Sequence, residues 1–253
     1  MEVHHQQIKH RKNWREYLFE FFMLFLAVSA GFFVENQRER HVENLRARDF
    51  ALTLYTELKR DTTSLGEIRN RTELAYHSLD TLIVLLSDSF ALSKTGLLYY
   101  HCGIGMYNSF FTANEATLQE MKSSGAIRYY KNFELVSAIT EYEYSIRYLY
   151  QLETNSYVNF METRKIQLKI FDNRYIYSSL AWDTSYAAYM IFLSPLKFQN
   201  PPLLTSTPGT LAEFRNWARN RSELDRMKVE RYQRLLTKAR NLLGIIKSEY
   251  DIH

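Results

Sequence analysis

Proline is confined to one short stretch of the chain, and this distribution constrains the fold more than any other feature. All four prolines lie between residues 195 and 208, and residues 1–194 contain none. Glycine is also scarce: the chain has 8 glycines and 4 prolines among 253 residues, where average usage is roughly 12 % for the two together. Sandwiches, barrels and doubly wound α/β folds need a turn residue every few positions. We therefore predict an all-α fold of long helices.

Apolar residues recur at helical spacing in four stretches. We predict these as long helices over residues 35–90, 113–124, 133–171 and 210–247. The first has a stripe at intervals of three, four or seven residues, made of Leu54, Leu58, Leu65, Ile68, Ala75, Leu79, Leu82 and Leu86. With a proline-rich loop over 195–208, these helices predict an elongated antiparallel bundle within residues 35–253.

Capping residues predict where several helices begin and end. The box pattern with Ser or Thr followed three residues later by Glu occurs at Thr112–Glu115 and Thr210–Glu213, and predicts helix starts there. The same pattern at Ser64–Glu67 predicts a kink or a restart of the first helix near Asp61–Gly66. We also predict Asn132 as an N-cap. Gly125 should be a left-handed residue that ends the preceding helix.

Residues 17–34, YLFEFFMLFLAVSAGFFV, form the only long apolar run and predict a transmembrane helix. At 1.5 Å per residue this run reaches about 27 Å, close to the ~30 Å hydrocarbon core of a bilayer. A cleaved signal peptide is the alternative, because cations precede the run and Val28-Ser29-Ala30 resembles a cleavage site. Glu20 within the run and the apolar residues beyond Ala30 favour a retained anchor.

The distribution of cations predicts the orientation of this anchor. Residues 1–16 carry four Lys or Arg, and residues 35–49 carry four as well, so the local count is a tie. A short basic tail resists translocation, whereas a long domain crosses largely regardless of its charge. We therefore predict a single-pass protein of the inner membrane, with a cytoplasmic tail over 1–16 and a periplasmic domain over 35–253.

The N-terminal half carries a resemblance to a known family. A short basic tail precedes EFFMLFLAVSAGFFVENQRER (20–40), which is followed by Tyr55-x-x-Leu58 with Asp61 and Thr62, and later by Leu118, Ser124-Gly125 and Asn132. Over about residues 9–150 this order resembles an uncharacterised family of Gram-negative single-pass inner-membrane proteins with a helical periplasmic domain. The resemblance implies location and architecture. The family has no assigned activity, so it implies nothing about chemistry.

The sequence carries no recognisable catalytic constellation. The single cysteine, Cys102, excludes an intrachain disulfide and a multi-cysteine metal site, and we find neither a phosphate loop nor a convincing nucleophile and base. The net charge of +4 is too balanced for a nucleic-acid footprint. The mixed charges of the last helix, Arg221 and Asp225 among them, are typical of a solvated face. We expect a non-enzymatic protein without cofactor, metal or nucleic-acid partner.

Tyrosine supplies the strongest positive signal, with 19 residues in the chain. Tyrosine suits half-buried contacts and is enriched at interfaces. Two clusters form a candidate interaction surface: Tyr142, Tyr144, Tyr148 and Tyr150, then Tyr175, Tyr177, Tyr186 and Tyr189. An aromatic-rich bundle core is the other interpretation of the same residues.

Small residues in the apolar run form a candidate helix–helix interface. Ala27 and Gly31 are four residues apart, Ala30 is adjacent, and Glu20 lies on nearly the same face; small residues allow the close approach on which association in lipid depends. We therefore expect membrane lipid and either protein partners or further copies of the chain as partners. The favoured function is a membrane-anchored scaffold, and the alternative is an extracytoplasmic ligand-binding sensor that signals through a separate protein.

Overall fold

A computed structural model describes residues 13–88, 91–177 and 185–252, so most of the predicted tail over 1–16 lies outside the described residues. The all-α prediction is confirmed, since the described residues contain helices and no β-strand. The α-helices are α1 (Trp14–Leu85), α2 (Thr95–Gly105), α3 (Ala116–Ser123), α4 (Phe133–Ile170), α5 (Asn173–Ile176), α6 (Tyr186–Leu193) and α7 (Pro208–Tyr250). Short 3-10 turns occur at Ala91–Ser93, Ala126–Tyr129 and Ser194–Phe198.

Helix α1 is uninterrupted over 72 residues, which corresponds to about 108 Å. The predicted restart near Asp61–Gly66 is wrong, because the helix has no break there. A capping box acts on N–H groups that lack a partner, and here the preceding turns of helix already supply carbonyl acceptors. Glu67 instead pairs with Arg71 at 2.9 Å on the helix surface. The helix ends at Leu85, a few residues before the predicted end at 90.

Helices α1, α4 and α7 form a bundle in which α7 runs antiparallel to both of the others. Arg69 of α1 contacts Gln233, and Ser87 just beyond the end of α1 contacts Arg215. Asn132 at the start of α4 likewise contacts Glu249 near the end of α7. Both long packed pairs, α1 with α7 and α4 with α7, are therefore antiparallel as predicted, and α1 and α4 run in the same direction. The reason is that the connection between them, residues 86–132, returns along the bundle instead of making a short turn.

The described part of this returning connection contacts α1 at successive points. A Cβ on Gly105 would lie 2.7 Å from Leu79, the backbone N–H of Asn114 donates to Asp61 at 3.0 Å, and the Tyr130 hydroxyl donates to the carbonyl of Ala47 at 3.0 Å. These contacts progress from the distal end of α1, near residue 85, toward the proximal end, nearest the apolar run.

The N-terminus of α3 is capped by a side chain of α1 rather than by the predicted capping box. The helix begins at Ala116, and its cap position, Glu115, makes no side-chain capping bond, so the predicted box at Thr112–Glu115 is wrong. Glu57 of α1 accepts instead from the N–H of Thr117 at 3.2 Å.

Two other predictions of helix ends are confirmed. Gly125 has φ of +70° directly after α3. Asn132 accepts from the N–H groups of Glu134 and Leu135 at the start of α4.

Helix α7 begins earlier than predicted. Pro208 occupies its first turn after Thr207, where the missing N–H of proline costs nothing. The box at Thr210–Glu213 therefore lies inside the helix, and Thr210 accepts a hydrogen bond from the Thr207 hydroxyl at 2.8 Å. The preceding segment is not entirely loop, because Ser194–Phe198 forms a 3-10 turn.

The bundle has two apolar clusters along its axis. The proximal cluster joins α1 from Ala47 to Ile68 with the first half of α4 and the last half of α7. The distal cluster joins the end of α1 from Leu79 with α2, α6 and the opposite halves of α4 and α7. All eight residues of the stripe predicted between Leu54 and Leu86 are buried.

Candidate functional site

The apolar run forms the exposed first part of α1. Among the described residues this is the one helix long and apolar enough to cross a membrane, and none of its most apolar 18-residue window is buried against protein. Glu20, Ala27, Ala30 and Gly31 all lie here. An added Cβ on Gly31 would meet no heavy atom within 4 Å, so the small-residue face is open. Pairing through that face stays a prediction.

The structure does not bring the eight predicted tyrosines into one surface. Tyr142 and Tyr189 are core residues, so their placement on a surface is wrong. Tyr142 is 1 % exposed and donates to Asp61 at 2.7 Å, and Tyr189 donates to the carbonyl of Gly103 at 3.0 Å. A buried hydroxyl needs such a partner, and both have one.

The other six tyrosines have different surroundings and do not form one surface. Tyr150 is half-buried and accepts from the N–H of Ala113 at 3.0 Å. Tyr175 packs its edge against Tyr99. Burial raises the pKa of Tyr186 to about 12, so its hydroxyl stays protonated at neutral pH. Tyr177 lines one depression of the surface, whereas Tyr144 and Tyr148 are exposed and line another.

Tyr144 and Tyr148 border a groove of about 330 Å³ between α4 and α7. We call it the basic groove; it is lined by Tyr144, Ser145, Tyr148, Arg231, Arg234, Leu235 and Lys238. The Arg231 guanidinium lies 4.7 Å from the ring centre of Tyr148. Arg234 pairs with Glu230, and Lys238 is 3.7 Å from Glu141. The lining therefore combines three cations with two exposed aromatic rings and contains no carboxylate.

A second depression, of about 420 Å³, opens between α4 and the segment that follows α2. We call it the aromatic cleft; it is lined by Tyr107, Asn108, Tyr157, Phe160, Met161, Arg164, Tyr177 and Tyr189. The rings of Tyr107 and Tyr189 are 5.5 Å apart. Arg164 donates to the Tyr177 hydroxyl at 2.7 Å. Burial raises the pKa of Tyr177, although Arg164 acts in the opposite direction.

A buried ionic layer separates the two apolar clusters and borders the aromatic cleft. It consists of Glu153, Arg221, Asp225 and Lys228, with Glu153 in contact with Tyr232 of the proximal cluster, and all five are at most 4 % exposed. Asp225 lies 2.8 Å from Arg221 and 2.7 Å from Lys228. Arg221 also donates to Asn108 of the cleft wall at 2.7 Å. The expectation of a solvated face is therefore wrong for Arg221 and Asp225.

Within this layer, Glu153 accepts from the hydroxyl of Tyr232 at 2.5 Å and from the N–H of Phe111 at 2.9 Å. Burial raises the pKa of Glu153, while those two bonds and the nearby Lys228 act against the rise. Burial also lowers the pKa of Lys228, and the attraction of Asp225 partly offsets that.

Sequence reasoning missed this layer although the sequence contains its signal. Ala218, Arg221, Asp225, Lys228 and Tyr232 recur at intervals of three or four residues, the spacing that keeps residues on one face of a helix. The charged residues thus occupy the core-facing positions of α7. Their spacing places these residues on the core-facing side of α7, whereas their charge alone suggests exposure to solvent.

Cys102 lies in the distal cluster and is fully buried. Burial raises the pKa of its thiol, so the thiol stays protonated at neutral pH and does not form a thiolate nucleophile beside His101. The described residues also contain no group of three or more His, Cys, Asp or Glu side chains that could hold a metal ion.

Comparisons with known protein families, with curated protein sequences and with solved structures found no match to this chain.

Proposed function

We propose that the protein is a non-enzymatic, membrane-anchored scaffold that binds protein partners through its helical bundle. The observation that carries this proposal is the continuity of α1, which bears an exposed apolar segment at one end and the bundle core at the other. Residues 35–46 contain no buried residue, and the core starts at Ala47. A membrane-embedded first segment would therefore hold the bundle about 18 Å from the bilayer on a rigid helix.

The location that we propose is the inner membrane, with residues 1–16 in the cytoplasm and the bundle in the periplasm. The four cations of the tail support this orientation, and the resemblance of the N-terminal half to Gram-negative single-pass proteins agrees with it. A cysteine introduced at Thr237, an exposed position of the bundle, would test it with a membrane-impermeant thiol reagent. Labelling in intact cells supports the proposal, and labelling only after lysis contradicts it. The unaltered chain is the control, because Cys102 is buried.

The basic groove is the surface that we propose for partner contact. Exposed tyrosine and arginine are the residues enriched at protein interfaces, and Tyr144 is 63 % exposed beside the three cations. Arg234 and Lys238 already pair with Glu230 and Glu141, whereas Arg231 lies over Tyr148 and pairs with no carboxylate among the described residues. The groove therefore suits an acidic segment of a partner that contacts Arg231.

Site-specific photocrosslinking in cells tests this role of the groove. We expect a crosslinker at Tyr148 to capture a defined partner, and the same crosslinker at exposed Leu74 of α1 to capture none. Arg231→Glu should abolish the crosslink at Tyr148. A crosslink that forms equally at both positions, or that survives Arg231→Glu, contradicts the proposal.

A ligand-binding sensor is the second candidate function, and the aromatic cleft is the observation that favours it. Its volume of about 420 Å³ lies within the range of small-molecule sites, and its lining is mostly aromatic. In this role the bundle would pass its signal to a separate protein.

A further inference from the structure

The aromatic cleft has the walls of a site for a flat, apolar ligand. The rings of Tyr177 and Tyr189 are 6.5 Å apart with an angle of 27° between their planes, and those of Tyr157 and Phe160 are 6.0 Å apart with an angle of 28°. The Tyr189 hydroxyl is committed to the carbonyl of Gly103, which fixes its ring. Aromatic rings attract other rings in stacked or edge-to-face arrangements.

Arg164 places a positive charge among these rings. A guanidinium has five N–H donors, and the one hydrogen bond of Arg164 within the described part of the chain goes to the Tyr177 hydroxyl. Within that same part of the chain, no carboxylate lies within 4 Å of it, in contrast to Arg221, which pairs with Asp225. Among the described residues, the other donors of this guanidinium have no acceptor, and they are available to an anionic group.

Asn108 provides a second donor at the same wall. Its side-chain oxygen accepts from Arg221 at 2.7 Å, which orients the amide and leaves the NH₂ group for another acceptor. Arg221 is itself buried and paired with Asp225. Two donors beside a ring-lined space are suited to a carboxylate attached to a flat ring.

We infer that the aromatic cleft binds an aromatic carboxylate, with its ring among Tyr177, Tyr189 and Phe160 and its carboxylate on Arg164 and Asn108. A cationic ligand fits the ring walls alone but would be repelled by Arg164. This inference rests on the second candidate function, the ligand-binding sensor, and names its class of ligand. The scaffold proposal is tested separately by the crosslinks at the basic groove, so one proposal can fail without the other.

Three probes of one shape test the inference. The full chain in lipid nanodiscs is titrated calorimetrically with 2-naphthoate, neutral 2-naphthalenemethanol and cationic 2-naphthylmethylamine, and empty nanodiscs are the blank. We expect saturable binding of the carboxylate, about tenfold tighter than either of the others, because a charge-assisted pair with arginine is added only there. No saturable binding of 2-naphthoate, or tighter binding of the amine, overturns the inference.

Substitution of the guanidinium separates the charge from the ring contacts. Arg164→Gln should remove the tenfold preference for 2-naphthoate and leave the affinity for the alcohol unchanged, whereas Arg164→Lys should restore part of it. Arg147→Gln is the matched control, because Arg147 lies on the same helix and is 62 % exposed outside the cleft. An unchanged preference in Arg164→Gln overturns the inference.

A second variant decides the matter if Arg164→Gln fails to fold. Met161 lines the cleft and is 39 % exposed, so Met161→Trp fills the entrance without disturbing the core. We expect it to weaken binding of 2-naphthoate at least tenfold while the helical circular dichroism is retained. Unweakened binding in this variant places the probe elsewhere and contradicts the inference.

Discussion

Tyr142 gives the most informative test of how the bundle is held together. Its hydroxyl donates to the carboxylate of Asp61 at 2.7 Å, and this bond joins α4 to α1. Burial and the nearby negative charge of Asp61 raise the pKa of Tyr142, so the hydroxyl remains a donor throughout the physiological range. Tyr142→Phe removes this one bond and leaves the ring in place.

The size of the destabilisation depends on the hydrogen bonds that Asp61 keeps in the variant. A hydrogen bond to a charged group contributes roughly 1.5–3 kcal/mol. After Tyr142→Phe, the carboxylate still accepts from the backbone and the side-chain amide of Asn114, at 3.0 and 2.7 Å, so it is not left without donors. We therefore expect the free energy of unfolding to fall by about 2 kcal/mol.

Urea unfolding of the full chain in detergent micelles, followed by circular dichroism at 222 nm, measures this loss. Tyr144→Phe is the control, because Tyr144 is two residues further along the same helix and exposed, and such changes stay within about 0.5 kcal/mol. In an Asp61→Ala background the cost of Tyr142→Phe should vanish, since the partner is gone. Equal midpoints for the two tyrosine variants, or additive losses in the double variant, would refute the role assigned to this bond.

Three further predictions concern glycines and the ionic layer. Gly66→Ala should stabilise the bundle by about 0.5–1 kcal/mol, because Gly66 is inside α1 with open space around it; Gly96→Ala should destabilise it strongly, because its Cβ would lie 1.9 Å from the carbonyl oxygen of Gln199. Urea midpoints that move in the same direction for both would contradict this. Gly125→Val should cost about 1–2 kcal/mol, since its φ of +70° strains a β-branched residue, and an unchanged midpoint would contradict it. The raised native pKa of Glu153 means that the folded state holds more protons than the unfolded state above pH 4.5, so this group's contribution to stability falls as pH rises through the native pKa. The stability of Glu153→Gln relative to the wild type should therefore increase as the pH rises above about 4.5, and a difference independent of pH would contradict it.

The sequence predicts well which segments are helical and which of their faces are buried, and it predicts the ends of the helices less well. The stripe from Leu54 to Leu86 is buried as predicted because period and burial are linked directly. The predictions at Asn132 and Gly125 are confirmed, since each residue lies at a real interruption between helices. The box at Ser64–Glu67 fails because its short pattern also occurs by chance, and only the state of the preceding turns decides whether N–H groups are free.

The tyrosines and the ionic layer show that the polarity of a side chain is a poor guide to its burial. Tyr142 lies three residues after Ile139 and four before Ile146, so its period places it in the core, whereas its polar hydroxyl suggests a surface. Its partner, Asp61, is 81 residues away in the chain, and local sequence does not reveal such pairings. The same applies to Arg221, whose burial depends on Asp225 one turn further and on Asn108 from a distant segment.

The continuity of α1 also fixes the angular register between its apolar segment and the bundle. Residues 35–46 are helical and none of them is buried, so one inserted residue there would turn the whole bundle by about 100° and advance it by about 1.5 Å. Seven inserted residues would return the basic groove and the aromatic cleft to within about 20° of their first direction, about 10 Å further out. The direction in which each surface faces is thus set by a count of residues along one helix, without any hinge to adjust it.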